Sequence, residues 1–279
     1  MNNINLERIA IMISYDLFAH GKRFALTVSF DDGRFDDRLI EILNRYGIKG
    51  TFHLNSGNMK KLGLYDSIGQ TYQGHEVSCH GTHHSTLQYI PMQGLVEEIF
   101  EDRRALEAQA GYPVTGLSYA CGGYTQMHKE LLRGMGIEYS RTTKNGLNGF
   151  QIPEDFLEWH PTCHYKSCME TGKQFLSMIN RLKETGWLGF PSILYVWGHA
   201  HELENNGHWD MIEEFCKLMG GNDMIWYATN IEICRYIKAQ RSLIISADES
   251  IVYNPTAIDV WFSKDGKEYC IRGGETLRI

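Results

Sequence analysis

Two adjacent carboxylates follow the first clear apolar segment of the chain. Residues 25–30 read Ala-Leu-Thr-Val-Ser-Phe, and Asp31, Asp32 and Gly33 come directly after them. Because neighbouring side chains of a strand point to opposite sides, one carboxylate can bind a cation while the other accepts a proton. The same segment also fits a turn in which Asp32 caps the next helix. Taken alone, it leaves both interpretations open.

A cluster of imidazoles follows a later apolar run. His80, His83 and His84 come directly after residues 77–79, Val-Ser-Cys. His80 and His84, four residues apart, can bind one zinc-like cation if the backbone between them makes a turn, although a solvated loop explains the cluster about as well. With Asp32 on a neighbouring strand end, they would form a His₂Asp set with open positions for water and substrate. The combination favours a metal site.

Repeated strand and helix segments must position these side chains. Short apolar runs predict strands at residues 24–30, 50–54, 76–79, 116–120, 139–142, 193–197 and 224–228. Amphipathic stretches between and after them predict helices at residues 34–46, 93–110, 126–135, 172–185, 208–219 and 231–240. This alternation is typical of an α/β protein with a mainly parallel sheet. Seven such repeats can close into a barrel whose catalytic groups lie at the carboxyl ends of the strands.

The two polar segments resemble the first two motifs of a known family. Ser29-Phe30-Asp31-Asp32-Gly33 is similar to the Thr-Phe-Asp-Asp-Gly motif of the polysaccharide deacetylases, the NodB-homology or carbohydrate-esterase-four group. Residues 80–84 resemble the His-x-x-x-His metal motif of that family, and the resemblance extends over roughly residues 24–237. It implies a distorted (β/α)₇ barrel, Asp31 as the catalytic base, and Asp32, His80 and His84 as ligands of a divalent cation.

The third motif of the family is only partly present. Residues 117–124 are similar to a variant of this motif, but they lack its arginine, which steadies the base, and its proline. Further along the chain, Arg141 either supplies the missing positive charge or pairs with another group at the barrel rim. A backbone N–H near Tyr119 is the expected partner of the oxyanion. Tyr119 and Arg141 are therefore candidate substrate-binding residues.

A later histidine matches the position of the family's general acid. His199 follows the apolar run at residues 193–197, and residues 197–202 resemble a Trp-Gly-His-x-x-Glu version of the motif. Its place after the strand favours His199 over His201. In an upstream loop, the indole of Trp159 could stack on a sugar face and His164 could contact the acyl group, so both are candidate substrate-binding residues. Neither matches a family motif, and packing explains both more simply.

Composition and charge describe an ordinary globular chain. Its 279 residues carry a net charge of -7 and no dense run of Lys or Arg, which argues against nucleic-acid and anionic-membrane partners. The seven cysteines form no Cys-x-x-Cys pair, as expected of reduced thiols. Residues 1–10 lack the pattern of a secretory signal and no segment is long and apolar enough to span a bilayer, so a cytoplasmic protein is expected. Residues 1–242 are predicted to form the catalytic domain and residues 243–279 a small antiparallel β extension.

The resemblance implies hydrolysis of an acetamide on an N-acetylated carbohydrate, or of an O-acetyl group. Zinc is the leading cation, and cobalt, nickel, manganese or iron also suit the ligands. Two rivals remain: a small-molecule amidase of the ureide- or imide-cleaving type, and a catalytically silent barrel that binds carbohydrate or metal. The presence of both a base and an acid argues against the silent barrel. Long loops at residues 57–73 and 146–164 predict a partly enclosed pocket, and the oligomeric state stays open.

Overall fold

A curled parallel sheet with helices packed on its outer face forms the centre of the structure, a computed structural model that describes residues 12–186 and 190–279. Residues 1–10, for which the sequence predicts no secretory signal, lie outside the described residues. The strands, in chain order, are β1 (Ile13–Ser14), β2 (Phe24–Asp31), β3 (Gly50–Leu54), β4 (Glu76–Cys79), β5 (Gly116–Ser118), β6 (Tyr139–Arg141), β7 (Cys163–His164), β8 (Ser192–His199), β9 (Ile225–Tyr227), β10 (Ile244–Ile245), β11 (Ile251–Tyr253), β12 (Val260–Lys264), β13 (Lys267–Ile271) and β14 (Thr276–Arg278). The α-helices are α1 (Asp36–Arg45), α2 (Ser56–Lys61), α3 (Ile68–Thr71), α4 (Met92–Ala110), α5 (Gln126–Gly134), α6 (Cys168–Thr185), α7 (Ala200–Asn206), α8 (Trp209–Met219) and α9 (Asn230–Arg241).

The main sheet closes on itself through one tryptophan. Its strand order is β6-β5-β4-β3-β2-β8-β7, and β9 runs beside the first half of β2. Trp159 forms a parallel bridge with Arg141 of β6, and the same segment pairs with β8 four residues later, through Cys163. The predicted α/β class and distorted (β/α)₇ barrel are confirmed.

The predicted strands and helices of the barrel are present, with small shifts at their ends. The sequence pattern does not indicate β7, α7, or the short helices α2 and α3, which lie within a segment predicted as a loop. Each of these elements is too short for a hydrophobic period to be visible. Within the described ranges, no helix is long and apolar enough to cross a membrane.

Alternation along the strands places polar side chains inside the barrel. Thr27, Ser29 and Asp31 share one face of β2, and the apolar residues between them pack in the core between sheet and helices. The polar residues are paired: Thr27 Oγ1 donates to Asn230 Oδ1 at 2.8 Å, and Ser29 Oγ lies 3.1 Å from the hydroxyl of Tyr195. Burial of these groups is therefore offset by hydrogen bonds within the barrel.

A carboxyl group is buried at the amino end of the barrel. Glu76 accepts hydrogen bonds from the hydroxyls of Thr51 and Tyr139, at 2.9 and 2.7 Å, and from the backbone N–H of Ile231 at 2.9 Å. These contacts join β3, β4 and β6 to the start of α9. Burial raises the pKa of Glu76 to about 7, against the lowering effect of the three donors.

Two small antiparallel sheets accompany the barrel, with strand orders β1-β12-β13 and β10-β11-β14. The short C-terminal strands predicted from the sequence are present. The first sheet also contains β1, because Ile13 pairs with Lys264 and Ser14 with Ser263. Residues near both ends of the described chain therefore share one sheet, and the division at residue 242 stays a prediction.

Replacing Glu76 with glutamine should change how stability depends on pH. The folded protein keeps the Glu76 proton up to about pH 7, whereas an unfolded glutamate loses it near its ordinary value of 4.5. Between these values the native state binds more protons, so the free energy of unfolding falls as the pH rises. In urea titrations at about pH 5 and pH 8, the wild type should lose about 2 kcal/mol more than E76Q.

A glutamate on the surface of α4 provides the matched control for this experiment. Glu97 is exposed, so E97Q should follow the wild type. Equal pH trends in the wild type and E76Q would contradict a protonated Glu76.

Candidate active site

The two carboxylates that follow one another in the sequence have different backbone conformations. Asp31 ends β2 and is buried. Asp32 has a φ of 77°, in the left-handed region that aspartate tolerates better than most residues. Gly33 follows with a φ of 71°, and a Cβ there would lie 2.3 Å from Met59 Sδ. The residue before α1 is Phe35, so the alternative in which Asp32 caps this helix is wrong.

Asp32 and two histidines converge on one point. Asp32 Oδ1 lies 3.8 Å from His80 Nε2 and 3.9 Å from His84 Nε2, and the three ligand atoms lie within 4.8 Å of one another. His80 Nδ1 lies 3.0 Å from the carbonyl oxygen of Ser118, to which it can donate, so Nε2 is left with the lone pair. Burial lowers the pKa of His80 against the raising effect of Asp31 and Asp32, which favours a neutral ring. This donor set suits a zinc-like cation.

An aspartate of α4 holds the first half of the histidine loop. Asp102 Oδ2 accepts hydrogen bonds from the backbone N–H groups of His80 and Gly81, both at 3.0 Å. Its other oxygen, Oδ1, accepts from the N–H of Ser56 at 2.7 Å. Asp102 therefore fixes the backbone of a candidate ligand without contacting the ligand atom.

A glutamate one helical turn away holds the second half of the loop. Glu98 Oε1 accepts from the N–H groups of His83 and Ser85, at 2.9 and 3.0 Å. His84 lies between them with a φ of 59°, in the left-handed region that residues other than glycine seldom occupy. Because Glu98 and Asp102 are four residues apart, both carboxylates face the loop from one side of α4.

A buried arginine pairs with Asp31. Arg141, the last residue of β6, donates from Nη2 to Asp31 Oδ2 across the barrel interior, and neither side chain is more than 3% exposed. Burial would raise the pKa of Asp31, but Arg141 and the nearby imidazoles of His80, His53 and His199 hold it well below its ordinary value. Asp31 is therefore a carboxylate at neutral pH.

The position of Arg141 corrects its assignment as a substrate-binding residue. Its guanidinium lies 4.1 Å from the centre of the Trp197 ring, and Nη1 donates to the carbonyl oxygen of Thr142 at 3.2 Å. It has no exposed surface with which to contact a substrate, and it pairs with Asp31 inside the barrel, not with an exposed group at the rim. The other alternative agrees with the structure, since Arg141 places a positive charge beside Asp31.

A second group of side chains lies on the other side of Asp31. His199 Nε2 is 3.9 Å from Asp31 Oδ2, and His199 Nδ1 is 3.5 Å from Glu202 Oε2. The same oxygen of Glu202 lies 3.0 Å from His164 Nε2. Burial would raise the pKa of Glu202, but the two histidines and Lys166 lower it, so one carboxylate lies between two imidazoles. His164, His199 and Glu202 also have ligand atoms close enough to hold a cation.

Two aromatic residues predicted to meet the substrate are buried instead. Trp159 is 1% exposed, and its ring centre lies 4.8 Å from that of Tyr195. Tyr119 is equally buried, and its hydroxyl donates to the carbonyl oxygen of Leu157. The backbone N–H of Tyr119 donates to the carbonyl oxygen of Arg141 at 3.0 Å, so it is not free to bind an oxyanion. The assignment of both side chains to the substrate is corrected. Trp159 packs in the core, as its simpler interpretation predicted, and an oxyanion partner among the backbone N–H groups near Tyr119 stays a prediction.

Sequence reasoning assigned no role to several residues of the site. His53 of β3 lies beside Asp31 in register and is fully buried, and its Nε2 has no hydrogen-bond partner among the described residues. A lone histidine in an apolar strand carries no visible signal. Glu98 and Asp102 resemble solvent-facing residues of an amphipathic helix. Glu202 was visible in the Trp-Gly-His-x-x-Glu segment, but its contact with His164 depends on the fold.

Fold and site together define a (β/α)₇-type barrel with a candidate cation site and an ionised carboxylate at its strand ends. Residues 19–140 match the family model described as Polysaccharide deacetylase. A curated chitin deacetylase from Pestalotiopsis sp is 32% identical over 92 residues. That match covers 32% of this chain and 30% of the relative, so the two are alike over about a third of their lengths.

Solved structures share the fold at low sequence identity. A protein described as a probable polysaccharide deacetylase from Pseudomonas aeruginosa PAO1 has a TM-score of 0.60 and 16% identity, over 77% of this chain and 90% of that chain. The Puue allantoinase has a TM-score of 0.60 and 13% identity over the same shares. The family model therefore confirms the predicted resemblance to the polysaccharide deacetylases over residues 19–140, and the solved structures confirm the fold.

Removing the charge of Arg141 should destabilise the folded protein strongly. R141Q leaves the Asp31 carboxylate buried without its partner, which we expect to cost about 3–5 kcal/mol of unfolding free energy. The double variant D31N/R141Q should recover part of this loss, because no unpaired charge remains. Urea titration with a chelator present measures both effects without metal binding. Losses that simply add in the double variant would contradict the pairing.

Replacing Asp102 should weaken metal binding more than it weakens folding. D102N removes one of the acceptors that fix the His80 backbone, and loss of a hydrogen bond that supports a metal ligand typically costs about 10- to 100-fold in metal affinity. Competition with a chromophoric chelator measures the affinity, and thermal unfolding of the metal-free protein monitors the fold. E101Q is the matched control, because Glu101 is the exposed neighbour on the same helix. Unchanged affinity in D102N would show that the loop does not need Asp102.

Proposed function

We propose that this protein is a metal-dependent hydrolase that removes acetyl groups from an N-acetylated, or O-acetylated, carbohydrate. One observation carries the proposal: the ligand atoms of Asp32, His80 and His84 converge beside an ionised Asp31 that faces His199. A cation site, a proton acceptor and a proton donor therefore occupy one end of the barrel. The family match supports the reaction class and the carbohydrate substrate.

The three candidate ligands suit a divalent cation, with zinc the leading choice. The His80 ring is oriented by Ser118, and the loop is fixed from behind by α4. Cobalt, nickel, manganese or iron would also accept two imidazoles and a carboxylate. Bound there, such a cation would polarise the acyl oxygen and lower the pKa of an attacking water.

Asp31 accepts the proton of the attacking water. Arg141 keeps the carboxylate ionised and occupies Oδ2, while Oδ1 has no hydrogen-bond partner among the described residues. Oδ2 also lies 3.6 Å from His80 Nε2 and 3.9 Å from His199 Nε2, so the carboxylate faces the candidate cation site through this oxygen. Because Arg141 is fully buried, it also holds the carboxylate in place from the inner side.

His199 donates a proton to the leaving amine, or to the leaving alcohol of an ester. Its Nε2 faces Asp31 and its Nδ1 faces Glu202, so the ring is held between two carboxylates. The Glu202 carboxylate makes an electrostatic contact with the ring, at 3.5 Å from His199 Nδ1, and this contact favours the orientation in which Nε2 faces Asp31. His164 contacts the same Glu202 oxygen, and we assign it to the support of this carboxylate.

Replacing the proposed base or acid should abolish most turnover but not metal binding. D31N and H199A should each lower kcat for acetate release at least about 100-fold, since general acid and base catalysis contributes effects of this size. Metal content measured on the purified variants should stay near that of the wild type. D37N, at an exposed aspartate of α1, serves as the control and should keep full activity. Near-normal kcat in both D31N and H199A would show that the assigned roles are wrong.

Acetate release from chito-oligosaccharides of increasing length tests the substrate class. A partly enclosed site for short sugars predicts rates that reach a plateau at short length, whereas a steady climb with length would indicate an open groove. A metal-loaded enzyme that releases no acetate from any of them, but hydrolyses small ureides or imides, would favour the amidase alternative. If the metal-loaded protein shows neither activity, the remaining alternative is a catalytically silent barrel that binds carbohydrate or metal.

A further inference from the structure

A polar cavity of about 390 Å³ adjoins the candidate cation site. Asp32 and His84 line it on the side of the cation site. Arg34, from the turn before α1, and Lys61, the last residue of α2, also line it. Any substrate group that extends from the cation site into this cavity would meet both cationic side chains.

The charges of this cavity are not balanced within the protein. Among the described residues that line it, Asp32 is the only acidic side chain. Neither Arg34 nor Lys61 has a carboxylate within 4.0 Å in the described part of the chain, although many other lysines and arginines are paired, such as Lys129 with Asp155. The whole chain has a net charge of -7, so this positive cavity runs against its overall charge. A cation held by Asp32 would make the cavity more positive still.

The backbone that carries the cationic side chains is tied to the cation site. The N–H of Gly57 in α2 donates to the carbonyl oxygen of Thr82 in the histidine loop, at 3.1 Å. The side chain of Asn58 in the same helix donates to the carbonyl oxygen of Asp32 at 3.3 Å. Lys61 follows within one helical turn of Asn58. The cavity wall is therefore positioned relative to the groups that would hold the cation.

We propose that this cavity binds an anionic group of the substrate, a carboxylate or a phosphate, through Arg34 and Lys61. The inference rests on the proposed function and narrows its substrate class to acetylated sugars that carry a negative charge. A guanidinium binds an oxyanion through two parallel hydrogen bonds, and the lysine adds a second positive charge. Neutral acetylated sugars would reach the same cation site without this contact.

Three sugars test the proposal on the zinc-loaded enzyme: neutral N-acetylglucosamine, its 6-phosphate, and N-acetylmuramic acid, which carries a carboxylate. Calorimetry measures Kd and acetate release measures KM. At low salt, at least one charged sugar should bind about tenfold or more tighter than the neutral one, and ~0.5 M NaCl should reduce this difference. Comparison of the Kd of the 6-phosphate with that of N-acetylmuramic acid shows whether the cavity prefers a phosphate or a carboxylate.

The double variant R34Q/K61Q should lose most of this preference, so that the ratio of charged to neutral Kd approaches one. K60Q is the matched control, because Lys60 is exposed on the same helix and does not line the cavity. Equal binding of all three sugars by the wild type, or a preference that survives in R34Q/K61Q, would overturn the inference. Charge-dependent binding without acetate release from any of the sugars would instead overturn the proposed deacetylation and leave the anion site standing.

Discussion

The buried ion pair between Asp31 and Arg141 constrains the rest of the barrel. Asp31 ends β2 and Arg141 ends β6, and three strands lie between them in the sheet order. The two side chains can meet only across the interior, so the sheet must curl until they do. Either charge alone would be costly there, since burial without a partner is penalised by several kcal/mol. Trp159 completes the curl by pairing with Arg141 through the backbone, so closure of the sheet and pairing of the charge occur at the same residue.

Supports of two kinds hold the site around this pair. On one side, Asp102 and Glu98 of α4 accept hydrogen bonds from the backbone of the histidine loop, which fixes its shape without using the imidazoles. On the other side, Glu202 contacts the imidazole rings of His164 and His199 directly. The first arrangement leaves ring nitrogens free to bind a cation, and the second places a carboxylate beside the ring that is proposed to transfer a proton. The difference follows from what each histidine is proposed to do.

The residues of this site that lie in local motifs could be predicted from the sequence. The contacts between residues that are distant in the chain could not. The ligand candidates Asp32, His80 and His84 stand next to strands whose apolar runs are easy to recognise, and their relative positions follow from parallel strand order. For Arg141 the sequence left two roles open, the missing positive charge or an ion pair at the barrel rim. Nothing local in the sequence shows that β6 faces β2 across the barrel. For Trp159 the sequence left both packing and sugar contact open, because an aromatic residue in a predicted loop looks the same whether it closes a sheet or contacts a sugar. A β7 strand of two residues gives no alternation from which the closure could be inferred.

The adjacent carboxylates show how the fold, and not the residue type, separates two roles. Asp31 stays in the strand, where its side chain is 3% exposed and paired with a cationic group of the protein. Asp32 takes a left-handed backbone conformation, and its side chain is 22% exposed and lies within 3.9 Å of the imidazoles of His80 and His84. Gly33 makes the reversal possible, because Met59 fills the space that any Cβ would need. The turn at residues 31–33 therefore places the two carboxylates where they can take their proposed roles, one as a cation ligand and the other as a base.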